Sequence, residues 1–197
     1  DTIGFFGNNL DDLKLIFNNV RHKGRNYPYI QKNFLTKKIN FSKGTYKIGK
    51  IVGPRSKNIK SDLKIIYDKI IDKLSKIKNV EIIEYKMPKI FNEAHLNHNI
   101  IYTKSLSYHL RKEFRNNNNR FSETLKNMIL DGQKISNKKY DDALEYQYKI
   151  IDNLENKFKE LDFLIDLSTF STAPKFGNNG IEDHNLIWTM CHMPVLS

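Results

Sequence analysis

The stretch from Tyr46 to Tyr85 constrains the fold more than any other part of this chain. Residues 46–52, YKIGKIV, read as a strand that Gly53-Pro54 ends. Val80 to Tyr85 is a second strand-like run, closed by Met87-Pro88. Between them Leu63, Ile66, Ile70, Leu74 and Ile77 recur at spacings of three and four, which predicts an amphipathic helix laid on a sheet, with Ser61 as its N-cap. Strand, helix, strand at this length is a βαβ unit, whose crossover makes the two strands parallel. The fold class expected is therefore α/β, a layered mixed, mainly parallel sheet covered by helices.

The flanking segments add helices. Asn8 or Asn9 can cap a helix from Leu10 to about Val20, with Leu10, Leu13, Ile16 and Phe17 on one face and Asp11 and Asp12 in the first turn. Residues 21–45 read as an extended surface excursion. Phe91 to Phe114 reads as largely helical, with Leu96, Ile100, Leu106 and Leu110 inward. Asn116 to Asn119 reads as an exposed loop, and Phe121 to Leu130 as a shorter helix stopped at Gly132. Ser136 caps the longest predicted helix, Lys138 to Glu160, whose buried stripe holds Tyr140, Ala143 or Leu144, Gln147, Ile151, Leu154, Phe158 and Leu161. No internal repeat or linker divides the chain, so residues 1–197 are expected to form a single domain.

Composition narrows the function classes. The net charge of +11 raises nucleic acid as a partner, but the charges are scattered and lack interleaved aromatics, so no nucleic-acid role is expected. No apolar run approaches the roughly 18 residues of a membrane span, and no membrane association is expected. One cysteine, Cys191, rules out an internal disulfide and suits a reducing, cytoplasmic setting.

The motif search yields no complete catalytic set. His95, His98 and Glu93 cluster on a predicted helix, but no H-E-x-x-H or Cys/His spacing accompanies them, so no metal site is expected. No G-x-S-x-G, G-x-x-x-x-G-K-(S/T) or G-x-G-x-x-G occurs, and no cofactor is expected. A Cys191–His192 nucleophilic pair is disfavoured, because neighbours in an extended segment point to opposite faces. Cys191 reads instead as a small buried thiol in a strand. Asp141 and Asp142 open a helix and serve its dipole. From Leu161 onward the chain reads as a short buried strand, Phe163-Leu164-Ile165, then a polar loop from Lys175 to Asp183. A segment around Trp188-Thr189 and a second strand-like run, Met193 to Leu196, follow. Two strands flanking a polar loop build one wall of a pocket.

Four pieces in order resemble the amidase signature family. Leu161-Asp162-Phe163-Leu164-Ile165-Asp166-Leu167-Ser168, with Ala173-Pro174 after it, resembles the family's D-x-L-L-T-P-(S/T). Asn185-Leu186-Ile187-Trp188-Thr189-Met190-Cys191-His192-Met193-Pro194 resembles its F-N-x-x-W-T-x-x-x-x-P. Asp1-Thr2-Ile3-Gly4 through Asp11-Asp12 is similar to its D-T-x-G-x-x-A-R-(S/T)-V-x-D. Leu130-Asp131-Gly132, with Tyr140 and Ala143, is similar to its G-x-x-(I/L)-(S/T)-x-x-x-Y-x-x-A. Two departures stand out: Asp166-Leu167 replaces the usual T-P, and Asn8 replaces the usual Arg.

The resemblance implies a partial amidase-signature fold, truncated at both ends. It implies a hydrolase that cleaves a carboxamide C–N bond through a serine acyl-enzyme, with a lysine and a second serine relaying the proton. In the family those catalytic residues precede the D-T-x-G piece. The resemblance thus implies no catalytic residue in this chain, which alone is expected to be inactive, and places the remainder of the amidase chain as its partner. A small-molecule amide is the implied substrate, with Thr189, His192 and Ser168 as substrate-binding residues and homo-oligomers among the expected assemblies. Two alternatives remain. One is the A subunit of glutamyl-tRNA(Gln) amidotransferase, which tends to carry V-K-R-R-I where this chain has Leu125-Lys126-Asn127-Met128-Ile129. The other is a non-catalytic binding or assembly module retaining half the fold.

Overall fold

The parallel βαβ unit is present. In a computed structural model, which describes residues 4–20, 44–173, 175 and 185–197, strand β1 (Tyr46–Val52) pairs with β2 (Val80–Lys86) over seven residues, from Tyr46 beside Val80 to Val52 beside Lys86. A third strand, β3 (Phe163–Ile165), pairs in parallel with the other side of β1, Ile48 beside Phe163 and Lys50 beside Ile165. The sheet order is β2-β1-β3, so β2 and β3 are its edges among the described residues. Asp162 sets the register of β3 twice over. Its backbone N–H donates to the Lys47 carbonyl at 2.8 Å, and its Oδ2 accepts the Lys47 N–H at 2.9 Å.

Helix α2 (Ser61–Ser75) makes the crossover. Its N-cap is Lys60 rather than Ser61, which is the first helical residue; Lys60 N–H donates to the Phe170 carbonyl at 2.9 Å, fixing where the helix begins. The buried side also differs from the expected stripe. Tyr67 is 6% exposed, whereas Ile66 and Ile70 are 52% and 44% exposed. The reason is the anchor that the tyrosine makes: its hydroxyl donates to the Ile165 carbonyl of β3 at 2.9 Å, and Lys50 of β1 reaches the neighbouring Asp68 at 2.9 Å. These two contacts roll the helix so that Tyr67, not Ile66, meets the sheet.

A short 3-10 turn at Lys89–Glu93 leads into α3 (Ala94–His109), and a break at Leu110 separates it from α4 (Arg111–Asn117). The stretch 91–114 is largely helical as expected, but in three pieces, and the asparagine tetrad is half helix, half 3-10 turn rather than a loop. Helix α5 (Glu123–Lys134) starts at Ser122, whose hydroxyl accepts the Leu125 N–H, and runs through Gly132 instead of stopping there. A Cβ on Gly132 would lie 2.0 Å from the Thr103 carbonyl oxygen, so the glycine lets α5 approach the backbone of α3. That close approach explains why α3 buries Thr103 and Ser107, whereas its Leu96 is 60% exposed. Small side chains fit the contact, and both hydroxyls are satisfied within their own helix, Thr103 by the Asn99 carbonyl and Ser107 by the Lys104 carbonyl.

Helix α6 (Asn137–Lys157) is the longest, and Ser136 caps it by accepting the Lys139 N–H at 3.2 Å. It buries Ala143, Ile150 and Leu154, and the last two join a core that also holds Ile51, Tyr85, Phe91, Leu161, Trp188 and Met190. The described residues fall into two compact units, residues 1–44 and 45–197. The first holds α1 (Leu10–Val20), where Asn9 accepts the Asp12 N–H through its side chain at 2.9 Å, as expected of an N-cap. All the elements above belong to the second. Most of the excursion expected at residues 21–45 lies outside the described residues. No helix among them is long and apolar enough to cross a membrane.

Candidate functional site

A cleft of about 610 Å³ runs beside β3. Asp162, Phe163, Leu164 and Ile165 all line it. Consecutive strand residues point to opposite faces, so four in a row can share one cavity only along the strand's edge. The edge concerned is the one that β1 leaves free, and Phe163 there is 53% exposed rather than buried. Asp166 and Ser168, past the carboxyl end of β3, continue the wall, in the place where open parallel sheets commonly hold ligands. That topological rule is the sequence signal that points to Asp166.

The opposite wall comes from α7 (Leu186–Met190) and the residues after it, Met193 to Ser197. The second strand expected at Met193–Leu196 does not form; the segment is irregular. The Trp188-Thr189 segment is helical, and its termini are clamped. At the start, Asn185 Nδ2 donates to the Ser168 carbonyl at 3.0 Å. At the end, Gln147 Nε2 of α6 donates to the Met190 carbonyl at 2.8 Å, one of the acceptors a helix terminus leaves open.

The turn that closes α7 decides where each expected site residue lies. Met193 N–H donates to the Trp188 carbonyl at 2.9 Å, and His192 N–H to the Thr189 carbonyl at 3.1 Å. This is the Schellman pattern, with His192 at the left-handed position, φ 54°. It brings Met193 back beside Trp188, and both line the cleft. Ser168 lines it too, whereas Thr189 and His192 are not among its lining residues. His192 is exposed, with its Nε2 at 3.4 Å from Gln147 Nε2. Motif position alone does not single out Asn185, Trp188, Met193 and Asp166 as cleft residues.

Cys191 sits at the C-cap of α7, buried, and not in a strand. Burial pushes its thiol up to about 12, so it is protonated at neutral pH and no nucleophile. The same burial raises Tyr85, with Cys191 adding to the shift, and raises Tyr146, with Glu93 and Cys191 adding to it. Tyr67 is raised by burial first and then by the carboxylates of Asp166 and Asp68. Among the described residues no group of three His, Cys, Asp or Glu side chains is placed to hold a metal. His98 stacks on Tyr102, and His109 packs edge-on to Tyr108.

A family model described as Amidase matches residues 1–195. A solved structure titled "Crystal structure of amidase" resembles this chain over 76% of its length with a TM-score of 0.63. The two are 13% identical, a likeness of fold, and the chain spans 36% of that structure's length. No curated protein matches the chain.

Proposed function

We infer the function from a plain premise: this chain belongs to the amidase family, whose model takes in residues 1–195. The reading is an amidase-type hydrolase that cleaves a carboxamide C–N bond through a serine acyl-enzyme. The observation that carries it is the coincidence of two features. Two of the segments that resemble the family, 161–168 and 185–194, also supply most of the residues that bound the cleft. In this reading Ser168, Asn185, Trp188 and Met193 line the substrate site, Ser168 on the β3 side and Trp188 and Met193 on the side facing it. Thr189 and His192 support that facing side through the turn they make, and a substrate contact from either requires a ligand that extends past the described cleft.

The nucleophile is proposed to lie in polypeptide preceding Asp1. Cys191 supports this indirectly: its buried, protonated thiol is unsuited to attack. Acyl-enzyme trapping tests the reading. A protein comprising this chain and the polypeptide encoded before it is incubated with an activated ester of a simple carboxylic acid, quenched in acid and mapped by mass spectrometry. An acylated serine before Asp1 is the expected result. An adduct confined to residues 1–197 contradicts it.

A further inference from the structure

The arginines of this chain are not spread as its lysines are. Of six in the sequence, three fall within residues 111–120, beside Lys112 and with one carboxylate, Glu113. The structure makes that run a single basic corner, built of α4 and the 3-10 turn Asn118–Arg120 after it. At about 100° per residue, Arg111, Lys112 and Arg115 share about 100° of the surface of α4, while Glu113 lies about 160° around the helix from each arginine. Phe114, half-buried, packs edge-on against Phe121 with ring centres 5.7 Å apart, and closes residues 115–120 into a short excursion. Arg115 and Arg120 adjoin those two rings in sequence, so they stand at the two ends of that excursion, with four asparagines between them. All four cations are exposed, and none forms an ion pair among the described residues. The next carboxylate in sequence, Glu123, is held by Lys126 at 2.6 Å. The residues outside the described set carry three carboxylates in all, Asp1, Glu182 and Asp183. An exposed aromatic, which the sequence does not place among these charges, comes from the end of α3. Tyr108 is 58% exposed, and the Arg111 guanidinium lies over its ring, 4.6 Å from the centre.

We propose that this corner binds single-stranded nucleic acid. The inference goes beyond the amide reading and does not rest on it. A guanidinium offers a phosphate paired N–H donors in a fixed fork, which an ammonium does not. That is a reason for arginine at this place in a chain whose cations are otherwise mostly lysine. An exposed tyrosine beside a guanidinium gives an unstacked base something to stack on, and single strands present such bases where duplexes do not. The exposed asparagine amides add neutral donors and acceptors for base edges and sugars. A lipid surface fits this corner less well. Every exposed residue of 111–120 is polar, and the one apolar residue there, Phe114, packs on Phe121. An acidic peptide would engage the cations and leave the tyrosine unused.

The test is fluorescence anisotropy of labelled oligouridylate and oligothymidylate, with the protein that comprises this chain and the polypeptide encoded before it. Both should bind saturably at low salt, and the ratio of their affinities tells RNA from DNA as the source. With four cations engaged, the logarithm of affinity should fall against that of salt with a slope of about −3. Replacing the three arginines together, Arg111→Gln, Arg115→Gln and Arg120→Gln, should weaken binding tenfold or more and bring the slope to about −1. Lys64→Gln, Lys69→Gln and Lys73→Gln together remove the same charge from α2, where all three are exposed, and should leave affinity and slope nearly unchanged. Tyr108→Leu should weaken binding several-fold without altering the slope. Equal losses in the two triple variants would mean that net charge alone attracts the strand, and would overturn the proposal. So would a duplex of equal length that binds as tightly, or the absence of saturable binding. Displacement of the oligonucleotide by polyglutamate or phosphatidylglycerol vesicles at equal negative charge overturns it in favour of an acidic protein or a membrane. Should the arginine variant not fold, the duplex and the competitors decide the matter on the unaltered protein.

Discussion

His192 holds a backbone conformation that costs a non-glycine residue roughly 1 kcal/mol, and it holds it to end α7. His192→Gly should therefore raise stability by about 1 kcal/mol in chemical denaturation, while His192→Val, a β-branched residue in the left-handed region, should lower it. Loss of stability in the glycine variant would mean that the imidazole, near Gln147, contributes more than the strain removes. The residue was visible in the sequence as part of a motif, but its φ was not. A helix of five residues shows too little periodicity to be told from an extended run, so Cys191 read as a strand residue and Met193–Leu196 as a strand. The role of Gln147 was hidden for a related reason. It sits on an apolar stripe, and its partner, the Met190 carbonyl, is 43 residues away.

At the scale of elements, the strands, the βαβ crossover and the capped helix α6 were legible because each is written in local periodicity and one capping residue. Ser136→Ala should accordingly cost about 1 kcal/mol by removing the hydroxyl that accepts the Lys139 N–H. What was not legible was how helices roll and meet. Ile66 and Tyr67 are adjacent on α2, and only the tertiary hydrogen bond to Ile165 decides which is buried. Thr103 and Ser107 lie outside the inward stripe expected for 91–114, and the approach of Gly132 buries them. Two glycine substitutions test that packing. Gly132→Ala puts a methyl 2.0 Å from a backbone oxygen and must separate α3 from α5, costing about 3 kcal/mol or more. Gly49→Ala meets only the ends of the Leu161 and Leu164 side chains at 2.8 Å, which can turn aside, and should cost about 1 kcal/mol. Equal losses in the two variants would contradict the close helix contact.

For the whole molecule, burial shifts Tyr67, Tyr85, Tyr146 and Cys191 in one direction, toward the protonated form. Their ordinary values, which the unfolded chain retains, are lower, so the folded state binds more protons above about pH 9. Their contribution to stability is complete below that point. It falls away as pH rises, for Cys191 across the interval from 9 to about 12. The melting temperature should drop through this alkaline range, and Cys191→Ala should make the drop shallower. The central claim concerns the reaction. Ammonia release is followed from para-methylbenzamide and a matching alkyl amide, using this chain joined to the polypeptide encoded before Asp1 and, in parallel, the 197 residues alone. The account predicts turnover by the longer protein, sharply reduced by Trp188→Ala, and none by the shorter. Turnover by the 197-residue chain itself, unchanged by substitution of Ser168 and Trp188, would contradict it.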